Sequence, residues 1–255
     1  MKLETVSQRF RQRSHELEHL DKGDYTPEEY EGCLVELRRV NRWLGDAKTL
    51  QDLFLTEIEA LDLQSFSVLD VGAGSGELLR VAAKWSRETN RTARLVGLEL
   101  NERSAKSILE ESREFPEIHS IRANGLRLPF ADGTFDYAIQ SLTLHHFDDE
   151  SAVKLLREMG RVTTRGVFVI DLHRSRMAYF FYTTLGKLFL HNRLIREDGA
   201  LSILKGWKAE ELQALGGQAG LQNVKVQEHF PARLVLSGVS VPGAIATGSI
   251  DTLSE

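Results

Sequence analysis

Ser67-Val68-Leu69-Asp70-Val71-Gly72-Ala73-Gly74-Ser75-Gly76-Glu77 is the stretch that decides the fold. Its first five residues form a short apolar run of the kind buried in a parallel sheet, and a helical pattern from Glu77 to Arg87 follows the glycines. A strand that enters a helix through a tight glycine turn opens a doubly wound α/β domain. Glycine suits the turn because a Cβ would block either a positive φ or the approach of backbone N–H groups to a ligand. A turn that binds nothing is the competing reading of the glycines alone, so their surroundings must decide.

Working outward, Leu95-Val96-Gly97-Leu98-Glu99 reads as a second strand and Glu102 to Arg113 as a second helix. Further strands are predicted at Ile118 to Arg122, Tyr137 to Ser141 and Gly166 to Asp171. Strands and helices alternating at this length call for right-handed crossovers and a parallel sheet. A helix from Lys208 to Ala219 leads to Asn223–Glu228 and Arg233–Leu236, two strands joined through Pro231 and expected as a hairpin at a sheet edge.

Upstream, the chain reads as helical to about residue 64. Thr26-Pro27-Glu28-Glu29 combines an N-cap hydroxyl, a first-turn proline and a glutamate at N3. Tyr30, Leu34, Leu37, Val40 and Leu44 follow at helical spacing, with Gly45 as a stop. A second helix should bury Leu50, Leu53, Phe54, Ile58 and Leu61 on one side. Residues 1–22 read equally as a third helix or a mobile arm. The expected organisation is therefore a helical extension over 1–64, an α/β domain over 65–238 with a helical cap inserted at about 174–200, and a flexible tail over 239–255.

The composition agrees with one such domain. Across 255 residues, 42% are hydrophobic and 27% charged, enough to bury a sizeable core. A net charge of −5 offers no general attraction to phosphate backbones, which disfavours a nucleic-acid partner. The single Cys33 cannot form an internal disulfide and suits a reducing, cytoplasmic setting. The polar start lacks a secretory core, and Met177 to Leu190 is too short to span a bilayer. No metal-ligand spacing is present. Assembly is not written in any motif, and a homodimer stays open.

The turn lacks the Lys-Ser/Thr of a phosphate-gripping loop, and its third glycine comes one position too early for the dinucleotide fingerprint. Asp70 would repel a pyrophosphate but welcome a cation. Glu99, ending the second strand, stands where doubly wound folds place an acid for ribose hydroxyls, though a solvated surface acid is the competing reading. A cationic nucleoside without phosphate satisfies both residues, and S-adenosylmethionine is such a molecule.

Val68 to Gly76 also resembles motif I of the class I methyltransferases. Ala123-Asn124-Gly125-Leu126-Arg127-Leu128-Pro129-Phe130 through Asp136 resembles their adenine-contacting segment, and Ser141-Leu142-Thr143-Leu144-His145-His146-Phe147 the segment after the fourth strand. The resemblance spans about 66–172. It implies a Rossmann-like, mainly parallel seven-stranded sheet with a C-terminal antiparallel hairpin. The cofactor residues it implies are Asp70, Gly72, Ala73, Gly74, Gly76, Glu99, Leu100, Asn124, Gly125, Leu126 and Gln140. Asn124 stands where the family usually has Asp, keeping an acceptor oxygen but losing the charge. A narrower likeness is carried by Leu37 to Leu44, Asp171 to Arg176 and Asp198 to Ser202. These stretches resemble bacterial methyltransferases associated with type III polyketide synthases, and so imply O-methylation of a phenolic product.

Methyl transfer to a hydroxyl or phenol also needs a proton acceptor. His145, His146, Asp171 and His173 all follow strands at the carboxyl edge, where ligands bind in open α/β sheets. His146 suits a capping or packing role, which leaves His145 the freer of the pair and, with His173, a general-base candidate. For each, a structural role competes. Tyr179, Phe180, Phe181, Tyr182, Leu185, Leu188 and Phe189 form either a core-packed helix or a cap over a small, hydrophobic or aromatic acceptor.

Three rival functions would each leave a different mark in the sequence. A nicotinamide oxidoreductase should carry the longer fingerprint and a Tyr-x-x-x-Lys dyad. A nucleic-acid amino-methyltransferase should carry Asn/Asp-Pro-Pro-aromatic where Gln140-Ser141-Leu142-Thr143 stands. A non-catalytic partner protein of the same fold should have a degraded glycine loop. Methylation at carbon or nitrogen of a small metabolite or quinone precursor is the alternative to O-methylation.

Overall fold

A computed structural model describes residues 9–30, 32, 33, 36 and 45–240. Seven strands form one sheet: β1 Ser65–Val71, β2 Thr92–Glu99, β3 Ile118–Arg122, β4 Phe135–Ser141, β5 Thr163–Leu172, β6 Gln222–His229 and β7 Arg233–Val239. Their order is β3-β2-β1-β4-β5-β7-β6. All neighbours run parallel except β7, which is antiparallel to both β5 and β6. The order reverses between β1 and β4, so the ligand crevice of this architecture opens at their carboxyl ends.

The described helices are α1 His19–Lys22, α2 Asp46–Thr49, α3 Thr56–Ala60, α4 Glu77–Glu88, α5 Glu102–Glu111, α6 Asp149–Arg161, α7 Arg176–Phe189, α8 Arg193–Lys205 and α9 Ala209–Gln218. Because strand side chains alternate, the sheet has two apolar faces. Leu69, Ala138, Val167, Val169, Leu234 and Leu236 pack under α6 and α9. Val68, Tyr137, Ile139, Phe168, Ile170 and Val235 pack under α4 and the Leu50–Leu55 segment that joins α2 to α3. None of the helices among the described residues is long and apolar enough to cross a membrane.

The amino-terminal cues are partly realised. Thr26 and Glu29 exchange reciprocal bonds, Thr26 N to Glu29 Oε2 at 3.0 Å and Glu29 N to Thr26 Oγ1 at 3.2 Å, which is the expected capping box. Most of the helix it would begin, with Leu34, Leu37, Val40, Trp43 and Leu44, lies outside the described residues. In the second helix Leu50, Phe54 and Ile58 are buried as expected, but Leu61 is exposed. The helix ends at Ala60, and Leu61 turns away from its axis with φ −86° and ψ 1°. Leu50–Leu55 also winds as a π-helix, a geometry invisible to a 3.6-residue period.

Residues 9–18 are mostly irregular, yet they are tied down: Phe10, Arg13 and Glu18 are buried. The helical insertion continues past residue 200 to Lys205, where Trp207 then bridges to His173. At the other end β7 includes Val239, and the buried hydroxyl of Ser240 meets that of Thr163. Val239 and Ser240, placed in the expected tail, thus belong with the sheet, and the rest of that segment, 241–255, lies outside the described residues.

Candidate active site

The turn after β1 is held by β2. Gly72 N and Ala73 N both reach the Leu98 carbonyl, at 2.8 and 3.2 Å. Gly72, Gly74 and Gly76 have φ of 78°, 58° and 81°, the left-handed region open to glycine. A Cβ at Gly72 would lie 2.9 Å from Thr143 Oγ1, whereas one at Gly74 would meet nothing within 4 Å. The first glycine lets the turn pass close to the end of β4. The second faces open space at the carboxyl edge.

Glu99 is oriented by the turn itself: Gly74 N–H donates to Oε1 at 2.7 Å and Leu100 N–H to Oε2 at 3.1 Å. Burial pushes its carboxyl above the usual range, and these backbone bonds oppose that push. Asp70 is buried, and its Oδ1 has no hydrogen-bond partner. Burial, and then the charge of Glu99, raise the Asp70 carboxyl to about 8. An orphaned buried carboxylate beside an open glycine turn fits a ligand that carries positive charge, as S-adenosylmethionine does.

Ala123 N bonds the Glu99 carbonyl at 3.0 Å, bringing the following segment beside β2. There Asn124 is exposed, its Oδ1 accepting from Leu126 N–H at 2.9 Å. Gly125 has no room for a side chain, since a Cβ would stand 3.0 Å from Val71 Cγ1 and 3.1 Å from Leu155 Cδ1. Gln140 is buried near the end of β4 with neither amide atom paired. Leu142, just past β4, holds φ 52°, a conformation branched and bulky side chains seldom adopt outside functional sites. The exposed Leu100 and half-buried Ala73 flank the same turn, and Gly76 begins α4.

The histidine pair is reversed from expectation. His145 is buried, with Nδ1 2.6 Å from Asp171 Oδ1 and its backbone N–H donating to Asp171 Oδ2 at 2.9 Å. His146 is the exposed one; its Nδ1 lies 3.4 Å from Lys205 Nζ. The reason is a 3₁₀ turn over Leu144–His146, which tucks the first ring under the sheet toward the end of β5 and turns the second outward. Asp171 is fully buried; burial alone would raise its pKa, but the His145 charge and hydrogen bonds outweigh it and hold the carboxyl below its usual range. His173 lies just past β5, its backbone N–H bonded to the Ala232 carbonyl at 3.0 Å, with no ring hydrogen bond among the described residues.

Several polar residues at this edge carried no motif. Arg13 stacks on Trp207, 3.3 Å from the ring centroid, and donates to Asp149 Oδ1 at 2.6 Å and to the Lys205, His145 and Phe147 carbonyls at 2.9, 3.1 and 2.9 Å. Glu18 accepts from Ser202 Oγ at 2.8 Å and lies 3.2 Å from Lys205 Nζ. Glu18, His145 and His146 could present metal donors within 4.8 Å of one another, but the Lys205 ammonium already supplies a cation beside Glu18. Asp46 Oδ1 and Arg233 Nε pair at 2.6 Å in the interior. The aromatic run of α7 divides: Tyr179 packs edge-on against Phe10 and Tyr182 donates to the Ile195 carbonyl, while Met177, Phe180, Phe181 and Phe189 are exposed.

Comparison with known proteins agrees with this geometry. A family profile described as a methyltransferase domain matches residues 69–170. The demethylmenaquinone methyltransferase of Bacillus licheniformis is 29% identical over 173 residues, covering 62% of this chain and 72% of its own. The ubiquinone/menaquinone biosynthesis C-methyltransferase UbiE of Klebsiella pneumoniae subsp. pneumoniae is 31% identical over 177 residues, covering 62% and 67%. Among solved structures, magnesium protoporphyrin IX methyltransferase from Synechocystis PCC 6803 superposes with a TM-score of 0.54 at 15% identity, covering 78% of this chain and 84% of that one. At that identity the likeness speaks for the fold alone.

Proposed function

The chain belongs to the class I S-adenosylmethionine-dependent methyltransferases, and from that premise we propose that it methylates a ring carbon of a small hydroquinone-type aromatic, a quinone precursor. The observation that carries this reading is the similarity, over 62% of the chain, to enzymes named for quinone methylation. O-methylation of a phenolic, polyketide-like product is the second reading; it rests on the narrower motifs at Asp171 to Arg176 and Asp198 to Ser202. Both readings share a phenolic acceptor that must lose a proton.

When bound, S-adenosylmethionine supplies an electrophilic methyl group on a sulfonium. In this proposal Glu99, aimed by the Gly74 and Leu100 N–H groups, holds the ribose hydroxyls. Asp70 supplies the negative charge beneath the turn, and Asn124, Gly125 and Leu126 border the adenine. Gln140 lines the same crevice with its unpaired amide.

On the acceptor side, Asp171 fixes the His145 tautomer by accepting from Nδ1–H, so that Nε2 carries the lone pair. His145 then takes the acceptor's hydroxyl proton and Asp171 stabilises the imidazolium; for methylation at carbon, the ring proton at the methylated carbon returns to the oxygen as the ring rearomatises, so that one proton in all is left on His145. The Arg13 strap and α7–α8 exclude water from the pair. The open groove lined by Arg127, Asp149, Lys154, Arg157 and Glu158 is charged with both signs and does not suit an apolar ring.

The test is incubation of the purified protein and cofactor with a 2-prenyl-1,4-naphthoquinol and, separately, with 5-pentylresorcinol. NMR of the product then locates the new methyl group. A methyl on the naphthoquinol ring carbon is the expected result. A methyl found on oxygen would move the assignment to the second reading.

A further inference from the structure

Three buried polar atoms without partners lie on one face of the sheet, at one edge. Asp70 alternates with Val68, Ser141 with Ile139 and Tyr137, and Arg233 with Val235, all on the face covered by α4 and the π-helical segment. Asp70 pairs with Ile139 across β1–β4, Ser141 with Ile170 across β4–β5, and Leu172 with Arg233 across β5–β7. The row therefore starts at the cofactor turn and crosses the carboxyl ends of β1, β4 and β5 to the start of the antiparallel β7. Asp70 Oδ1, Ser141 Oγ and Arg233 Nη2 are each buried with no hydrogen bond. Two strand spacings, about 10 Å, separate β4 from β7.

The far end of the row is a built feature. Arg233 is 1% exposed, and among the described residues its side-chain bond is the one from Nε to Asp46 Oδ1 at 2.6 Å. Asp46 opens α2 right after Gly45, whose φ of 77° turns the chain into the sheet. One oxygen of Asp46 thus orients the guanidinium by its Nε and leaves Nη2 unused. A buried cation with a spare donor is costly unless something accepts from it. Beside it, Thr49, Leu50, Phe54, Ile139, Phe168 and Ile170 close together under the π-helical turn and leave no water-sized void between them. Such turns recur where a helix must accommodate a ligand.

We propose that this row is the acceptor site, and that Arg233 Nη2 binds an anionic ring oxygen of a phenol or hydroquinone whose other edge faces the cofactor turn at Asp70 and Ser141. Asp46 is the positioning residue for Arg233. Arginine suits the role because it stays charged at any working pH and presents a planar fork. The site rests on the reading above that the acceptor is phenolic, and it holds for methylation at carbon or at oxygen.

The test uses the same two probes, 2-prenyl-1,4-naphthoquinol and 5-pentylresorcinol, with the full chain. Removing Arg233 alone would strand Asp46 as a buried unpaired charge, so the variant is Asp46→Asn/Arg233→Met. For whichever phenol the wild type methylates, KM should rise roughly 10- to 100-fold, the worth of one charged hydrogen bond, with cofactor Kd by calorimetry unchanged. The dimethyl ether of the naphthoquinol, which cannot carry the anion, should inhibit wild type and variant equally. The milder Asp46→Asn keeps an oxygen for Nε and should raise the same KM several-fold.

An unchanged KM in both variants overturns the site, and so does a loss of cofactor binding together with the phenol, which would make the pair structural. If the resorcinol alone is turned over and its KM rises, the site stands and the quinone reading falls. If neither phenol binds the cofactor-saturated wild type, both fall.

Discussion

The two halves of the carboxyl edge are built in opposite ways. Around β1 and β2, the polar contacts are short in sequence and mostly to backbone: Glu99 reaches Gly74 and Leu100, and Asn101 caps α5 through Arg103 and Ser104. Around β5 and β7, buried side chains reach partners far along the chain: Arg13 the Lys205 and His145 carbonyls, Glu18 Ser202, Asp46 Arg233. A turn that shapes itself locally can carry a half-buried carboxylate, held by its own backbone N–H groups, at small cost to stability. Charges enclosed far from water are tolerated only while every partner stays. Changes in the first half should therefore alter ligand affinity with little effect on folding, and changes in the second should alter folding.

The sharpest way to break this contrast is Asp171→Ala. It removes the fully buried partner of His145 and the acceptor of two backbone N–H groups, those of His145 and Leu172. The expected loss is about 3–5 kcal/mol in urea denaturation. Because the folded Asp171 carboxyl sits below its unfolded value, the stability it contributes is present above about pH 4 and drains away as pH falls through the folded value. A loss under about 1 kcal/mol would put the acceptor half in the same class as the turn.

Glu99→Ala is the matching change in the cofactor half. The N–H groups it releases lie on the exposed side of the turn and can be taken up by water. Cofactor affinity should fall roughly 10- to 100-fold, the worth of charged hydrogen bonds, while the unfolding free energy moves by less than about 1 kcal/mol. Calorimetric titration beside the same urea experiment separates the two numbers. A large stability loss here would erase the contrast.

This division also explains what could be read from the chain. The strand, turn and helix around Gly72 to Gly76 obey local rules, and the positive φ of all three glycines is what those rules demand. The parallel sheet followed from the alternation of strands and helices, and the hairpin from the two strands about Pro231. Arg13, Asp46 and Arg233 gave no signal, because nothing at residue 46 says that its partner stands at residue 233. The swap of His145 and His146 came from a 3₁₀ turn, in which one residue of phase decides which ring is buried. Leu61 was misplaced where the helix ends one residue before it.

Asp70 is a buried carboxyl whose Oδ1 has no partner among the described residues, and it sharpens the contrast through pH. With its carboxyl raised to about 8, it is largely protonated near neutrality in the free protein. A cationic ligand prefers the carboxylate, so binding should release a proton below that value. Affinity should then rise with pH by at most about tenfold per unit and level off above about pH 8. Calorimetry in buffers of different ionisation enthalpy reads the proton directly. S-adenosylhomocysteine lacks the sulfonium charge but keeps the ammonium, so an equal slope for both ligands would assign Asp70 to the ammonium. A flat profile for both would mean that no cation approaches this carboxylate.

The smallest effect is expected at Asn124. Its Oδ1 accepts from Leu126 N–H at 2.9 Å, and the side chain is exposed. Asn124→Asp preserves that oxygen, so the loop geometry should persist, and the added charge is screened by solvent on the open side of the crevice. Adenine's exocyclic amine would gain a charged acceptor in place of a neutral one, which exposed to water is worth under about 1 kcal/mol, a change in cofactor Kd of a few-fold toward tighter binding. Salt decides whether the gain is electrostatic, since it should shrink as ionic strength rises. A tightening beyond tenfold that salt leaves untouched would mean that this loop closes over the ligand and excludes water, and the cofactor half would then share the enclosed character of its neighbour.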